Sequence, residues 1–256
     1  MAVIGGIFLF FLVFYPKIIG LPAVSLKTDT KGNLTETAGR PFDNLNLEAK
    51  AVLVFDLVKN EPIFELNSNA QLPLASLTKI MTAIVAEEII PPSEKKNISD
   101  DIDDALSYSS NTAASNIAAL AKNFIDLMNK KAKELNLNQT YFLNETGLDI
   151  SKELSGAYGS ANDVVKLISY ALKINPDLFE ATTNNLAINT NPYASTTTLL
   201  IASKTGLTDL AGGNLAVVFD AGFNYQIASV VLGSSEKGRF LDTQKLIEAT
   251  FKYLTK

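Results

Sequence analysis

Residues 50–86 read KAVLVFDLVKNEPIFELNSNAQLPLASLTKIMTAIVA, and two different periods share this one stretch. KAVLVFDLV and EPIFEL are short β-branched and aromatic runs separated by Lys59-Asn60, the pattern of a strand hairpin. From Ser76 onward the period changes. Leu77, Ile80, Met81, Ile84 and Val85 fall at i, i+3, i+4, i+7 and i+8, which predicts an amphipathic helix opening near Ser76. Working outward, helical patterns are predicted within residues 111–135 and 162–174. Strand patterns return at 196–203, 214–220 and 225–233, with Ala221-Gly222 at a turn, and a closing helix covers 239–254. Strands first and last with helices between predict an α+β fold whose N- and C-terminal strands share one antiparallel sheet.

Ahead of this region, residues 2–15 (AVIGGIFLFFLVFY) are uninterrupted apolar, and after Pro16 and Lys17 the run resumes over 18–24. A full membrane span needs roughly 20 apolar residues, which the stretch to Val24 supplies if Lys17 snorkels to the interface. Residues 1–24 are therefore expected to be a membrane anchor or signal segment. The small residues at Ala23-Val24-Ser25 suit cleavage, whereas the missing basic n-region favours an uncleaved anchor. Residues 26–47 (LKTDTKGNLTETAGRPFDNLNL) lack apolar periodicity and read as a flexible linker, so the expected organisation is 1–24 anchor, 25–47 linker and 48–256 catalytic domain. Such a tether reaches at most roughly 70 Å when extended.

Composition narrows the chemistry. The 256 residues include no His and no Cys. That removes Ser-His-Asp triads, thiol nucleophiles, disulfides and thiolate or imidazole metal sites, and it leaves proton transfer to Lys, Tyr or carboxylates. A net charge of −5 offers no clustered basic footprint for nucleic acid. Neither a metal nor a cofactor is called for.

Three short motifs carry the remaining chemistry. Ser-x-x-Lys occurs three times, at Ser76/Lys79, Ser93/Lys96 and Ser234/Lys237. Ser93 sits in a polar run after Pro91-Pro92 and Ser234 precedes an exposed-looking helix start, while Ser76 opens the apolar helix. There its hydroxyl and N–H can face a carbonyl, with Lys79 on the same face. A capping box would place Glu or Gln where Lys79 stands, so chemistry fits better than capping. A lysine acts as a base near neutral pH only if burial or a nearby cation lowers its pKa from roughly 10.4. Lys204, in the single Lys204-Thr205-Gly206 triplet, is the candidate cation. Its glycine permits close approach to the strand, and Lys with Thr can hold a carboxylate. Ser-x-Asn occurs twice, at Ser109-Ser110-Asn111 and Ser160-Ala161-Asn162, and either can cap a helix.

In this order Ser76-Leu77-Thr78-Lys79, Ser109-Ser110-Asn111 and Lys204-Thr205-Gly206 resemble the three signature boxes of penicillin-binding proteins and serine β-lactamases. Residues 50–86, 124–149 (FIDLMNKKAKELNLNQTYFLNETGLD), 158–172 (YGSANDVVKLISYAL), 204–218 (KTGLTDLAGGNLAVV) and 238–251 (GRFLDTQKLIEATF) are similar to the D-alanyl-D-alanine carboxypeptidases. The resemblance implies a β-lactamase/transpeptidase-like fold and an enzyme that trims peptidoglycan stem peptides outside the cytoplasm, with β-lactams as inhibitors. It implies Ser76 as nucleophile, Lys79 as base, and Ser109 and Asn111 as proton relay and amide contact. Lys204, Thr205 and Arg239 would hold the terminal carboxylate, and the N–H groups of Ser76 and Leu207 would form an oxyanion hole. Ser160 is expected to belong to a structural turn.

Ser109 follows Ser76 by only 33 positions, roughly half the separation usual between these boxes. A shortened helical lobe is expected, with PPSEKKNISDDIDD (91–104) in place of the missing part and its aspartates in the first turn of the helix holding Ser109. A D,D-endopeptidase, a class A-like β-lactamase with Glu145 as its water-activating residue, and a non-catalytic wall sensor are the other readings.

Overall fold

The computed structural model describes residues 27–28, 34–35, 41–91, 93–183, 190–191 and 199–255. They belong to two compact units, Met1–Arg40 and Pro41–Lys256. In the first, β1 (Lys27–Thr28) pairs antiparallel with β2 (Leu34–Thr35). The expected anchor, residues 1–24, and most of the expected linker lie outside the described residues. Among the described residues no helix is long and apolar enough to cross a membrane.

The second unit begins at Pro41, ahead of the expected boundary at residue 48. Phe42, Leu45 and Leu47 pack on one face of the main sheet, and the Phe42 ring stacks on Phe64 at 5.0 Å between centroids. Three scattered apolar side chains show no period, so they read as linker until the surface they meet is known.

The predicted hairpin is β3 (Ala51–Asp56) and β4 (Glu61–Leu66). β5 (Leu72–Pro73) leads into a 3-10 turn, Ala75–Leu77, and α1 (Thr78–Ile89). α2 (Ser99–Asp103), a π turn (Asp104–Tyr108), α3 (Asn111–Ala118) and α4 (Phe124–Glu134) follow. β6 (Tyr141–Phe142) and β7 (Ala157–Gly159) join β5 in a small sheet, and α5 (Ala161–Ile174) succeeds them. β8 (Leu200–Thr208), β9 (Gly212–Asp220) and β10 (Gln226–Ser234) precede α6 (Gly238–Leu254). The first positions of the strand expected from 196 lie outside the described residues.

The main sheet runs β4-β3-β10-β9-β8, every neighbour antiparallel, so the N-terminal hairpin and the three C-terminal strands form one sheet as expected. Alternate side chains serve two cores. Ala51, Leu53, Ala216, Val218, Ala228, Val230 and Leu232 face the helical core. Val52, Val54, Leu215, Val217, Phe219, Ile227 and Val231 face the core under α6. Both faces are covered, which is why these strands read as unbroken apolar runs.

The amphipathic reading of α1 is corrected by this packing. Every residue from Thr78 to Ala86 is buried, because α3, α4 and α5 surround the helix. Ala83 and Ala86 fit the crowded side, and the Thr78 and Thr82 hydroxyls donate to the carbonyls of Ala75 and Glu145 at 2.7 Å each. Apolar periodicity marks only a one-sided helix; small residues and satisfied hydroxyls hide a fully enclosed one.

Candidate active site

The turn carrying Ser76 is held from several sides. Ala75 adopts the left-handed region at φ 48°, where a side chain without polar atoms gains no local hydrogen bond to offset a strain of about 1–3 kcal/mol. Asn214 on β9 donates from Nδ2 to the carbonyls of Pro73 at 3.0 Å and Leu74 at 3.1 Å. Gly147, at φ +76°, lies so close that a Cβ there would come within 1.9 Å of the Ala75 oxygen. Gly206 on the edge strand β8 is similarly pressed, its would-be Cβ 3.0 Å from the Leu74 oxygen. The space on the Cβ side of Gly206 is thus filled by the Ser76 turn.

One half of the site is built around Lys79, which is fully buried. Its Nζ lies 3.0 Å from Ser76 Oγ, 2.8 Å from Asn111 Oδ1 and 2.8 Å from the Thr146 carbonyl. Ser76 precedes it by one helical turn, Asn111 opens α3, and Thr146 comes from the loop before Gly147. Burial lowers the Lys79 pKa to about 8, partly opposed by the negative charge of Glu145. A serine hydroxyl beside a lysine so poised is a nucleophile with a base in reach.

The other half is built around Lys204 on β8. Its Nζ donates to Ser109 Oγ at 2.9 Å and to the Thr205 carbonyl at 3.1 Å. Ser109 terminates the π turn in a left-handed conformation, φ 61°, which aims its hydroxyl at the strand. Burial first, then the charges of Lys79 and Arg239, pushes Lys204 well below the ordinary lysine range. Arg239 is buried, not the surface charge that a helix position also allows, and its Nη1 donates to the Gly206 carbonyl at 2.6 Å. Burial also lowers its pKa. Thr205 Oγ1 shares a 2.6 Å hydrogen bond with Thr190 Oγ1. Leu207 follows on the edge strand with its side chain exposed. Three cationic side chains in so small a volume favour an anionic ligand.

The Ser234 and Ser160 duplicates resolve by contact. Ser234 is buried and donates to Asp242 at 2.9 Å, so its exposed-looking context misleads. Ser160 accepts the Asp163 N–H at 3.1 Å and caps α5. In Ser109-Ser110-Asn111 the middle residue is the cap, accepting the Ala113 N–H at 3.1 Å, which frees its neighbours for the two lysines. Asp100 and Asp101 lie in the first turn of α2, a helix that precedes Ser109 rather than holding it. Thr146, Gly147, Thr190 and Asn214 escaped the sequence reading. Only Gly147, inside the NETGLD stretch, carried a signal, since a glycine there allows the left-handed turn.

Residues 90–236 match the family model described as D-alanyl-D-alanine carboxypeptidase. The chain belongs to that family. Ser109, Asn111, Lys204, Thr205 and Leu207 fall within the matched residues of this D-alanyl-D-alanine carboxypeptidase family member, with Ser76, Lys79 and Arg239 on either side. The chain is 27% identical over 181 residues to D-alanyl-D-alanine carboxypeptidase DacF of Bacillus subtilis (strain 168), covering 59% of itself but only 46% of that relative. It is 28% identical over 255 residues to the D-alanyl-D-alanine endopeptidase of Escherichia coli (strain K12), covering 82% of itself and 78% of the other. Penicillin-binding protein D2 from Listeria monocytogenes, in a cefotaxime-bound form, superposes with a TM-score of 0.72 at 26% identity over 81% of this chain and 99% of that one. The family member adopts the expected penicillin-binding-protein fold.

Proposed function

We propose that this chain is a serine-type D-alanyl-D-alanine carboxypeptidase that removes the terminal D-Ala of peptidoglycan stem peptides through an acyl-enzyme on Ser76. The observation that carries the reading is the Ser76–Lys79 contact of 3.0 Å, with Lys79 drawn down to about 8 beside a second, cation-lined half. Neutral Lys79 takes the Ser76 proton as Oγ attacks the penultimate D-Ala carbonyl. The C–N bond then breaks, the departing amine receives the proton, and water releases the acyl group. Lys204, Thr205 and Arg239 would bind the terminal carboxylate, whose charge would let Lys204 keep its proton. The N–H groups of Ser76 and Leu207 would serve the developing oxyanion, each donor typically worth about 2.7–4 kcal/mol. Ser109 and Asn111, seated against the two lysines, would relay the proton and hold the substrate amide.

The substrate places the enzyme outside the cytoplasm, tethered through residues 1–24. β-Lactams would inhibit it by acylating Ser76, in keeping with the ampicillin- and cefotaxime-bound forms of the Listeria protein. Cleavage of cross-linked peptides is the second reading, favoured by the match across 78% of the Escherichia coli endopeptidase. The test incubates the full chain with a stem pentapeptide, a cross-linked dimer and nitrocefin. D-Alanine release, abolished in Ser76→Ala, is expected. Dimer cleavage without D-alanine release would favour the endopeptidase, and rapid nitrocefin turnover alone would make the protein a β-lactamase.

A further inference from the structure

We propose that Asn214, a buried polar residue within β9, is a positioning residue for Ser76: its side-chain amide ties the turn that carries the nucleophile to the main sheet and holds that turn in its strained form. The proposal rests on the reading of Ser76 as the nucleophile.

Asparagine is a poor strand former, and the residues that follow it on β9 supply apolar side chains to the two cores. Asn214 is nevertheless fully buried there. A local preference overridden inside a well-packed strand points to a role in a site. Nδ2 donates to two successive carbonyls, those of Pro73 at 3.0 Å and Leu74 at 3.1 Å, and Oδ1 accepts the Gly233 N–H at 2.8 Å. Two carbonyls on one side and an N–H on the other give the amide a single orientation. Gly233 lies at φ +68°, where the pairing of β10 with β9 shifts register between Val231 and Ser234. The anchor is therefore the sheet, and what it grips is the chain just ahead of Ser76.

The place of the grip matters. Ala75 stands at φ 48°, and rotation about its N–Cα bond turns the rigid peptide plane that bears the Leu74 carbonyl. The bond from Asn214 to that carbonyl thus restrains the one dihedral that is strained. The same carbonyl accepts the Leu77 N–H at 3.2 Å and closes the 3-10 turn around Ser76. Were Ala75 to relax to an ordinary conformation, the Leu74 carbonyl would swing away from Nδ2, and Ser76 Oγ would leave its place 3.0 Å from Lys79 Nζ. Gly206, the cross-strand partner of Asn214, and Gly147 make room for the turn, whereas Asn214 supplies hydrogen bonds that hold it there.

The test follows acylation of the full chain by a fluorescent penicillin over a range of concentrations, well below the unfolding temperature of each variant, so that the limiting rate and the half-saturating concentration are read separately. Wild type is compared with Asn214→Ala, Asn214→Ser and the double variant Asn214→Ala with Ala75→Gly. A displacement of reacting groups by about 1 Å can cost about 10²-fold, so Asn214→Ala should lower the limiting rate by roughly 10- to 100-fold. The half-saturating concentration should stay in place, because the cation-lined half of the site is untouched. Asn214→Ser keeps one donor and should lose less. Glycine adopts the left-handed region without strain, so Ala75→Gly should recover part of the rate lost in Asn214→Ala. A purely structural role would lower the unfolding temperature and leave the limiting rate of the folded protein where it was. A wild-type limiting rate in Asn214→Ala overturns the proposal, as does a loss that Ala75→Gly fails to reduce. If Asn214→Ala does not fold, Asn214→Ser is read in its place, and a wild-type rate there has the same meaning. A wild-type protein that takes no label overturns the reading of Ser76 itself, so the two failures are distinct.

Discussion

The two lysine-centred halves of the site are built to opposite plans. Lys79, on a helix, has three hydrogen-bond acceptors around its ammonium and a carboxylate within electrostatic reach. Lys204, on the edge strand, has a hydroxyl and a carbonyl for partners, and the charges acting on it are those of Lys79 and Arg239. The helical half is complete in itself and holds its lysine at a usable basicity. The strand half is electrostatically unfinished, and a ligand carboxylate completes it. A base and an anion clamp thus differ less in residue type than in what surrounds them.

Lys79→Ala should break the contrast most severely. Removing a positioned base typically costs about 10²–10⁴ in rate, so labelling by fluorescent penicillin should fall by that factor while the protein stays folded. Labelling at the wild-type rate would show that Ser76 is activated by something else. Lys204→Ala should act on substrate choice. Losing a charge-assisted contact of about 1.5–3 kcal/mol predicts a roughly 10- to 150-fold weaker use of peptides with a free terminal carboxylate. Amidated peptides, compared in the same assay, should be affected far less, and equal losses would remove the clamp.

Gly147→Ala probes the shared support. A methyl group 1.9 Å from the Ala75 oxygen, at φ +76°, must displace the turn. Thermal or denaturant unfolding should report a loss of about 2 kcal/mol or more, with slower acylation of what remains folded. The pH dependence sharpens the helical half. Because the neutral amine is the base and its pKa is lowered to about 8, wild-type acylation should rise with pH through that value. A flat profile would mean that Lys79 carries no titrating role. The smallest effect belongs to the duplicate motif. Ser234→Ala should keep full labelling and lose about 1 kcal/mol of stability with its buried hydrogen bond to Asp242.

Much of this molecule was legible without coordinates. The hairpin over Lys59-Asn60, the C-terminal strands and the closing helix are local patterns, since period and turn chemistry are written in neighbouring residues. Ser76 and Lys79 were singled out by helical spacing and context, whereas Ser109 and Asn111 were chosen over their duplicate, and Lys204 given its role, through the family resemblance. The enclosure of α1 was not legible, because burial depends on what packs against a helix and not only on its own stripe. Nor was the start of the globular unit at Pro41, where Phe42 has meaning only beside Phe64.

By itself the sequence determined the fold class, the absence of imidazole and thiol chemistry, and which serines and lysines were eligible. Tertiary structure alone decided that Ser110 caps α3 while Ser109 and Asn111 turn to different lysines, and that the Ser76 turn packs against Gly206. It also brought Thr146 and Glu145 to Lys79 from more than sixty positions away in the chain. The physical reason is that eligibility is a property of a side chain, whereas pKa, strain and hydrogen-bond partnership belong to the volume in which distant side chains meet.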